Sequence, residues 1–116
     1  MNPSGTFTLR YYTARNGKDY YNEWLSGLDD RTRARVLRQV EKLERGIGYQ
    51  KPLDNKLWEL VIEEGPGYRV YFTKEGNEII LVLAGSDKSG QKRTIALARK
   101  LIQEIEEDRT LRERRN

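Results

Sequence analysis

Apolar and polar residues alternate across residues 57–63, with Trp58, Leu60 and Ile62 on one side and Glu59, Val61 and Glu63 on the other. A period of two is that of a β-strand, and it predicts one face against a core and the other facing water. Glu64-Gly65-Pro66-Gly67 interrupts the pattern, because proline fixes φ and glycine reaches the positive φ of a tight reversal. Residues 68–73 are expected to return antiparallel, with Arg69 and Tyr71 on one face and Tyr68, Val70 and Phe72 on the other. After a second turn at 74–77, residues 79–84 form an unbroken apolar, β-branched run. That composition predicts a strand buried on both faces, at the centre of the sheet.

The pattern before residue 57 is different. Residues 7–12 alternate and are rich in aromatic and β-branched side chains, which predicts an edge strand. Over 19–28, Tyr20, Trp24 and Leu28 recur every fourth residue, a helical stripe expected to be core, with Tyr21 off it and exposed. A second helix follows with Asp30 as its N-cap, Ala34, Val36, Leu37, Val40 and Leu43 on its inner side, and Gly46 closing it. Residues 48–56 read as a loop. The last helix is expected over 91–107, with Ile95, Leu97, Ala98, Leu101, Ile102 and Ile105 as its apolar stripe. The order is βααβββα. It predicts an α+β fold of two layers, a small twisted antiparallel sheet of about four strands packed with two N-terminal helices plus the C-terminal helix. The whole of 1–116 reads as one domain, and the charged tail 106–116 reads as a solvated helix end or a basic tail reaching for phosphate. The carboxylates Glu104, Glu106, Glu107 and Asp108 read as a solvated helix face.

Composition narrows the chemistry. With 36% hydrophobic and 34% charged residues, the core is lean and the surface ionic. A net charge of +4 permits a polyanionic partner without requiring one. There is no cysteine and no histidine, so disulfides, thiolate chemistry and an imidazole base are excluded. No carboxylate cluster at metal-ligand spacing, mononucleotide loop or cofactor fingerprint appears, so no metal and no cofactor are expected. The start of the chain has no signal pattern, and no apolar run is long enough to span a bilayer, which predicts a soluble cytoplasmic protein.

Two places carry candidate chemistry. Arg69 sits in mid-strand between aromatics, where a guanidinium must be solvated or paired. A cross-strand ion pair with Glu59 or Glu63 is one reading, and a phosphate clamp using forked donors is the other. The second place is Asp87-Lys88-Ser89-Gly90-Gln91-Lys92-Arg93, at the junction of the buried strand and the last helix. Backbone N–H groups at a helix N-terminus beside Lys88, Lys92 and Arg93 make an anion site, and a plain polar connector is the alternative.

LWEL, then GPGYRVYF, then IILVLAGSDKSGQ leading into IALA resembles the RelE/ParE superfamily of toxins from type II toxin–antitoxin pairs. Within it the chain is most similar to the HigB-like, or phage-derived Gp49-like, addiction-module killer proteins, over residues 7–105 or so. The resemblance implies the RelE/ParE-like fold and a ribosome-dependent mRNA endoribonuclease, in which an mRNA 2′-hydroxyl attacks its own 3′-phosphate. It also implies partners: the ribosome and mRNA, and a cognate antitoxin, usually a helix-turn-helix DNA-binding protein. Arg69 and Lys88 match the family's basic positions and would stabilise the phosphorane, and Tyr71 is a candidate for proton transfer or base stacking. Lys92, Arg93, Gln91 and Lys56 would contact RNA, and Glu59 is a candidate base or a partner for Arg69. Two positions depart from the pattern: Val61 stands where the branch often has arginine, and Thr94 where it commonly has an acid. These bear on mechanism rather than fold, and keep open a ParE-like gyrase inhibitor that does not cleave, or a degenerate antitoxin-binding module.

Overall fold

The computed structural model describes residues 6–115. The elements run β1 (Thr8–Tyr11), α1 (Tyr20–Ser26), α2 (Asp30–Lys42, with a 3-10 turn Leu43–Arg45), β2 (Tyr49–Pro52), β3 (Trp58–Ile62), β4 (Tyr68–Glu75), β5 (Ile79–Asp87) and, after a 3-10 turn Lys88–Gly90, α3 (Gln91–Arg115). The expected α+β order is present with one strand more. The sheet order is β1-β5-β4-β3-β2, so β4 holds the middle and β5 lies between β1 and β4.

Three features of the sheet differ from the expectation. Tyr49–Pro52 is not loop: it pairs antiparallel with β3, from Tyr49 opposite Val61 to Pro52 opposite Trp58. A proline at the end of an edge strand leaves the ladder intact, and the partner strand, not an apolar pattern of its own, makes this strand. β1 lies at the other edge and runs parallel to β5, Thr8 opposite Ile79 and Tyr11 opposite Val82, so the sheet is mixed. Periodicity carries no information on strand direction. The helices also lie on both faces. α1 and α2 cover one with Tyr21, Leu25, Val36 and Val40 against Leu60, Val70, Phe72, Ile80 and Val82. On the other, Ala98, Leu101 and Ile102 of α3 pack on Leu57, Tyr71, Leu81, Leu83 and Ala84. The β3 face expected to be wet is therefore under α3, and Glu59 is 1% exposed.

β5 is buried along most of its length, as its composition predicts. A bulge shifts its register against β4: Tyr71 faces Ala84 but Phe72 faces Val82, leaving Leu83 as the extra residue. Leu83 and Ala84 consequently both point toward α3, and Gly85 returns to the α1 side. There a Cβ would meet Trp24 Cε3 at 2.1 Å, so the indole lies directly on the strand backbone.

The helix ends follow capping chemistry. Asp19 caps α1 by accepting from the Asn22 N–H at 3.0 Å. Asp29, not Asp30, caps α2, its carboxylate accepting from the N–H and hydroxyl of Thr32 at 2.8 and 3.0 Å. Arg33 donates to the carbonyls of Leu28 and Leu25 at 2.8 and 3.3 Å, tying the C-terminus of α1 to α2. Gly46 takes the left-handed conformation, φ 69°, that ends the second helical segment. Tyr21, expected outside, is 2% exposed and stacks on Tyr11 at 5.5 Å. The inner stripe of α1 is Tyr21 and Leu25, with Tyr20 turned toward the other core. Ala34 and Leu37, expected inside, are exposed because Val36, Val40 and Leu43 alone face the sheet. α3 continues through the charged tail to Arg115, held by Arg15, which pairs with Asp108 at 3.0 Å and Glu107 at 3.5 Å. Among the described residues no helix is long and apolar enough to cross a membrane.

Candidate functional site

The C-terminal ends of β3 and β5, the start of β4 and the N-terminus of α3 meet at one end of the molecule. β3 brings Glu59 opposite Tyr71, and β4 brings Arg69 between Val61 and Ser86. All of these project from the α3 face, following the strand alternation. The chain turns from β5 into α3 through Asp87, whose carboxylate accepts from the Ser89 hydroxyl at 2.7 Å and the Gly90 N–H at 3.0 Å. Those bonds hold the Asp87 carboxyl below the usual range, the Ser89 hydroxyl being the larger cause.

This turn sets Gln91, first residue of α3, over the sheet. Its side-chain amide donates to Glu59 Oε2 at 2.8 Å. Glu59 Oε1 lies 3.9 Å from Arg69 Nε, a loose ion pair between side chains 1% and 12% exposed. Among the described residues the arginine makes one hydrogen bond, from Nη1 to the Tyr68 carbonyl at 3.1 Å. Three buried polar atoms nearby, Arg69 Nε, the Tyr71 hydroxyl and Ser86 Oγ, have no hydrogen-bond partner among the described residues. Burial, reinforced by the Glu59 charge, pushes the Tyr71 hydroxyl well above the ordinary tyrosine value. It is a neutral phenol at any physiological pH.

Arg69 and Lys88 do share one patch. A Cβ placed on Gly67, in the turn between β3 and β4, would lie 3.5 Å from Arg69 Nη1 and 3.8 Å from Lys88 Cβ. The Lys88 N–H donates to the Gly67 carbonyl at 3.1 Å, stapling this turn to the start of α3. Gly67 has φ 82°, a left-handed backbone conformation that favours glycine. Lys88, Lys92 and Arg93 are exposed, and the first turn of α3 carries no acid. The patch brings Arg69 and Lys88 to the two sides of Gly67, with Lys92 and Arg93 exposed in the adjoining first turn of α3.

Other residues singled out in the sequence are placed differently. Lys56 pairs with Glu106 at 2.6 Å, fifteen residues along α3 from Gln91 and so about 22 Å away. It does not belong to the patch. Gln91 is committed to Glu59 rather than presented to solvent. Tyr71 is 0% exposed beneath α3, so it neither stacks on a base nor touches a phosphate. Glu59 is likewise enclosed, between Gln91 and Arg69, and is not placed to act as a base. Ser86, one of the unpartnered atoms, was not marked by the sequence because the bulge at Leu83 offsets the alternation of β5. Val61 lies directly opposite Arg69 and supplies no charge there. Among the described residues no group of acids could hold a metal ion. A groove of about 650 Å³ beside Arg15, Gln103 and Leu111 lies along the far half of α3, away from this patch.

A small α+β domain with a basic polar patch at a sheet end is the class that these features define. The family model for phage-derived protein Gp49-like matches residues 23–107, which hold every residue of the patch, and the chain belongs to that family. It is a family of RelE/HigB-like addiction-module killer proteins, so the chain is of the toxin type and membership implies a cognate antitoxin. An uncharacterized protein of Haemophilus influenzae is 36% identical over 87 residues, covering 73% of this chain and 88% of the relative. No solved structure matches the chain.

Proposed function

We propose that the protein is a ribosome-dependent mRNA endoribonuclease, the toxin of a type II pair whose antitoxin is a helix-turn-helix DNA-binding protein. The observation that carries this reading is the Arg69 guanidinium, half-enclosed beside the buried Glu59–Gln91 link and, among the described residues, making a single hydrogen bond, to the Tyr68 carbonyl. A guanidinium with unsatisfied N–H groups beside a free lysine suits the equatorial oxygens of a phosphorane. In the reaction the 2′-oxygen bonds to phosphorus, the bond from phosphorus to the 5′-oxygen breaks, the 2′-hydroxyl loses its proton and the departing 5′-oxygen gains one. Arg69 and Lys88 stabilise the added charge. Lys92 and Arg93 hold neighbouring phosphates. Glu59 and Gln91 act through Arg69 by fixing its orientation, and Tyr71 fills the space beneath it.

Val61 gives a second reading some support, since an apolar side chain opposite Arg69 suits a toxin that binds without cleaving, as a gyrase inhibitor would. Induced expression of wild type, Arg69→Ala, Lys88→Ala and Lys56→Ala separates the two, with growth and new mRNA 5′ ends read from the same cultures. The nuclease predicts arrest with cleavage in wild type and Lys56→Ala, and relief in the other two. Arrest with intact transcripts would transfer the assignment to the non-cleaving reading.

A further inference from the structure

The outward side of α2 carries Arg31, Arg35, Arg38, Lys42 and Arg45, at successive spacings of four, three, four and three residues. On a helix these positions form one straight row about 21 Å long, opposite the buried Val36, Val40 and Leu43. An outward helix face is ordinarily charged, but with mixed sign, because Glu and Lys at these spacings support a helix and like charges oppose it. This row has one sign. Its acids, Asp30, Glu41 and Glu44, are off to the flanks. Only Arg35 has an acidic partner, Glu64 at 3.2 Å; among the described residues Arg31, Arg38, Lys42 and Arg45 have none. α3 is the contrast, since there acids and bases interleave and Arg15, Lys56 and Arg99 are ion-paired along its length or at its side.

We infer that this row is a second nucleic-acid surface, one that docks on the phosphate backbone of double-helical RNA. A single-sign row of cations, spaced about 5 Å along a rigid axis, is complementary to a phosphate chain. It holds no Asn, Gln, Ser or Thr with which to read base edges, so it positions without selecting sequence. A helix that reads DNA enters the major groove; that of A-form RNA is too deep and narrow, and such duplexes are bound across their backbones. The choice of RNA rests on the nuclease reading above. The row also has a defined place relative to the Arg69 patch. It lies on the opposite face of the sheet, and Arg35 ties it to Glu64, which opens the turn carrying Gly67. A strand at Arg69 and a folded RNA on α2 are thus held at once, on two sides of one turn.

The test is binding of a short blunt RNA duplex, with a duplex DNA of the same sequence alongside, by fluorescence anisotropy over a salt series. Wild type is compared with R31A/R38A/R45A and with R99A/R109A. Alanine favours the helix at exposed positions, and a thermal melt verifies that the triple variant is folded. The row predicts that the triple variant binds duplex RNA at least tenfold more weakly, with a salt slope shallower by roughly two to three, from about 0.9 per lost phosphate contact. R99A/R109A, which removes two ion-paired cations outside both the row and the Arg69 patch, is expected to bind like wild type. An unchanged affinity in the triple variant overturns the inference, as does equal or tighter binding of the DNA. A chain that cuts no transcript yet binds RNA through the row would sink the nuclease reading and leave this surface standing.

Discussion

Replacing Gly85 by alanine tests the most sharply defined contact in the fold. The added Cβ would stand 2.1, 2.3 and 2.7 Å from three carbons of the Trp24 ring, where carbon atoms rest at about 3.5–4.0 Å. The indole must withdraw by about 1.5 Å. It has little room to do so, with Tyr21 at 6.1 Å and Tyr68 at 6.4 Å between ring centres. Overpacking of this kind costs about 1–3 kcal/mol. Expelling the ring instead uncovers about 100 Å² of apolar surface, roughly 2.5 kcal/mol. With so short a contact the overpacking route lies in the upper part of its range, so either gives a loss of about 2–3 kcal/mol, a fall in urea midpoint of roughly 1–2 M. Gly85→Ala should be followed by urea unfolding with tryptophan emission, in wild type and in a Trp24→Leu background. With the ring gone the same alanine should cost under about 1 kcal/mol, a coupling of more than about 1 kcal/mol between the two sites. A midpoint within about 0.3 M of wild type, or additive effects in the double variant, would refute the packing of the indole on the strand.

Gln91→Leu removes the amide that bonds Glu59 and leaves a buried carboxylate short of a donor, a loss of about 1.5–3 kcal/mol in urea unfolding. Transcript cleavage should fall with it as Arg69 loses its orientation, and Gln91→Asn, too short to reach, should behave alike. Asp29 has its carboxyl held below the ordinary 3.8, chiefly by the Thr32 N–H. A depressed folded value means that its contribution is full above the unfolded value and is lost as pH falls through the folded one. Unfolding midpoints measured from pH 6 down to pH 2 should therefore drop less steeply for Asp29→Ala than for wild type, and parallel curves would contradict the cap.

Residues 57–84 were legible because each strand there is bounded by turn chemistry and buried by its own side chains. The faces of Arg69 and Tyr71 followed directly from a period of two. What covers a face did not. Glu59 reads as a solvated position until α3 is laid over it, and nothing in the spacing of α3 says which side of the sheet it takes. Tyr49–Pro52 was hidden for a related reason: a short polar edge strand owes its conformation to its neighbour's hydrogen bonds. Tyr21 was misplaced because two overlapping stripes on a seven-residue helix, one through Tyr20 and one through Tyr21, each satisfy helical periodicity. For the site, the basic residues were visible and their convergence was not. It comes from Gly67 and the turn after Asp87, both settled by tertiary contacts. Lys56 had the right charge and the wrong end of the helix.

The parallel pairing of β1 with β5 has a bearing on the order in which the molecule comes into being. The first strand to leave the ribosome finds its partner only when residues 79–82 have been made, and α3, which closes the far side of the sheet, is last of all. Contacts so distant along the chain form late and slowly. Glu59, Arg69, Ser86 and Gln91 come from four successive elements ending at α3, so no product that stops short of the last helix carries the patch. For a member of a killer family, interrupted synthesis leaves fragments without the assembled patch. It comes together only in a chain whose translation has reached α3.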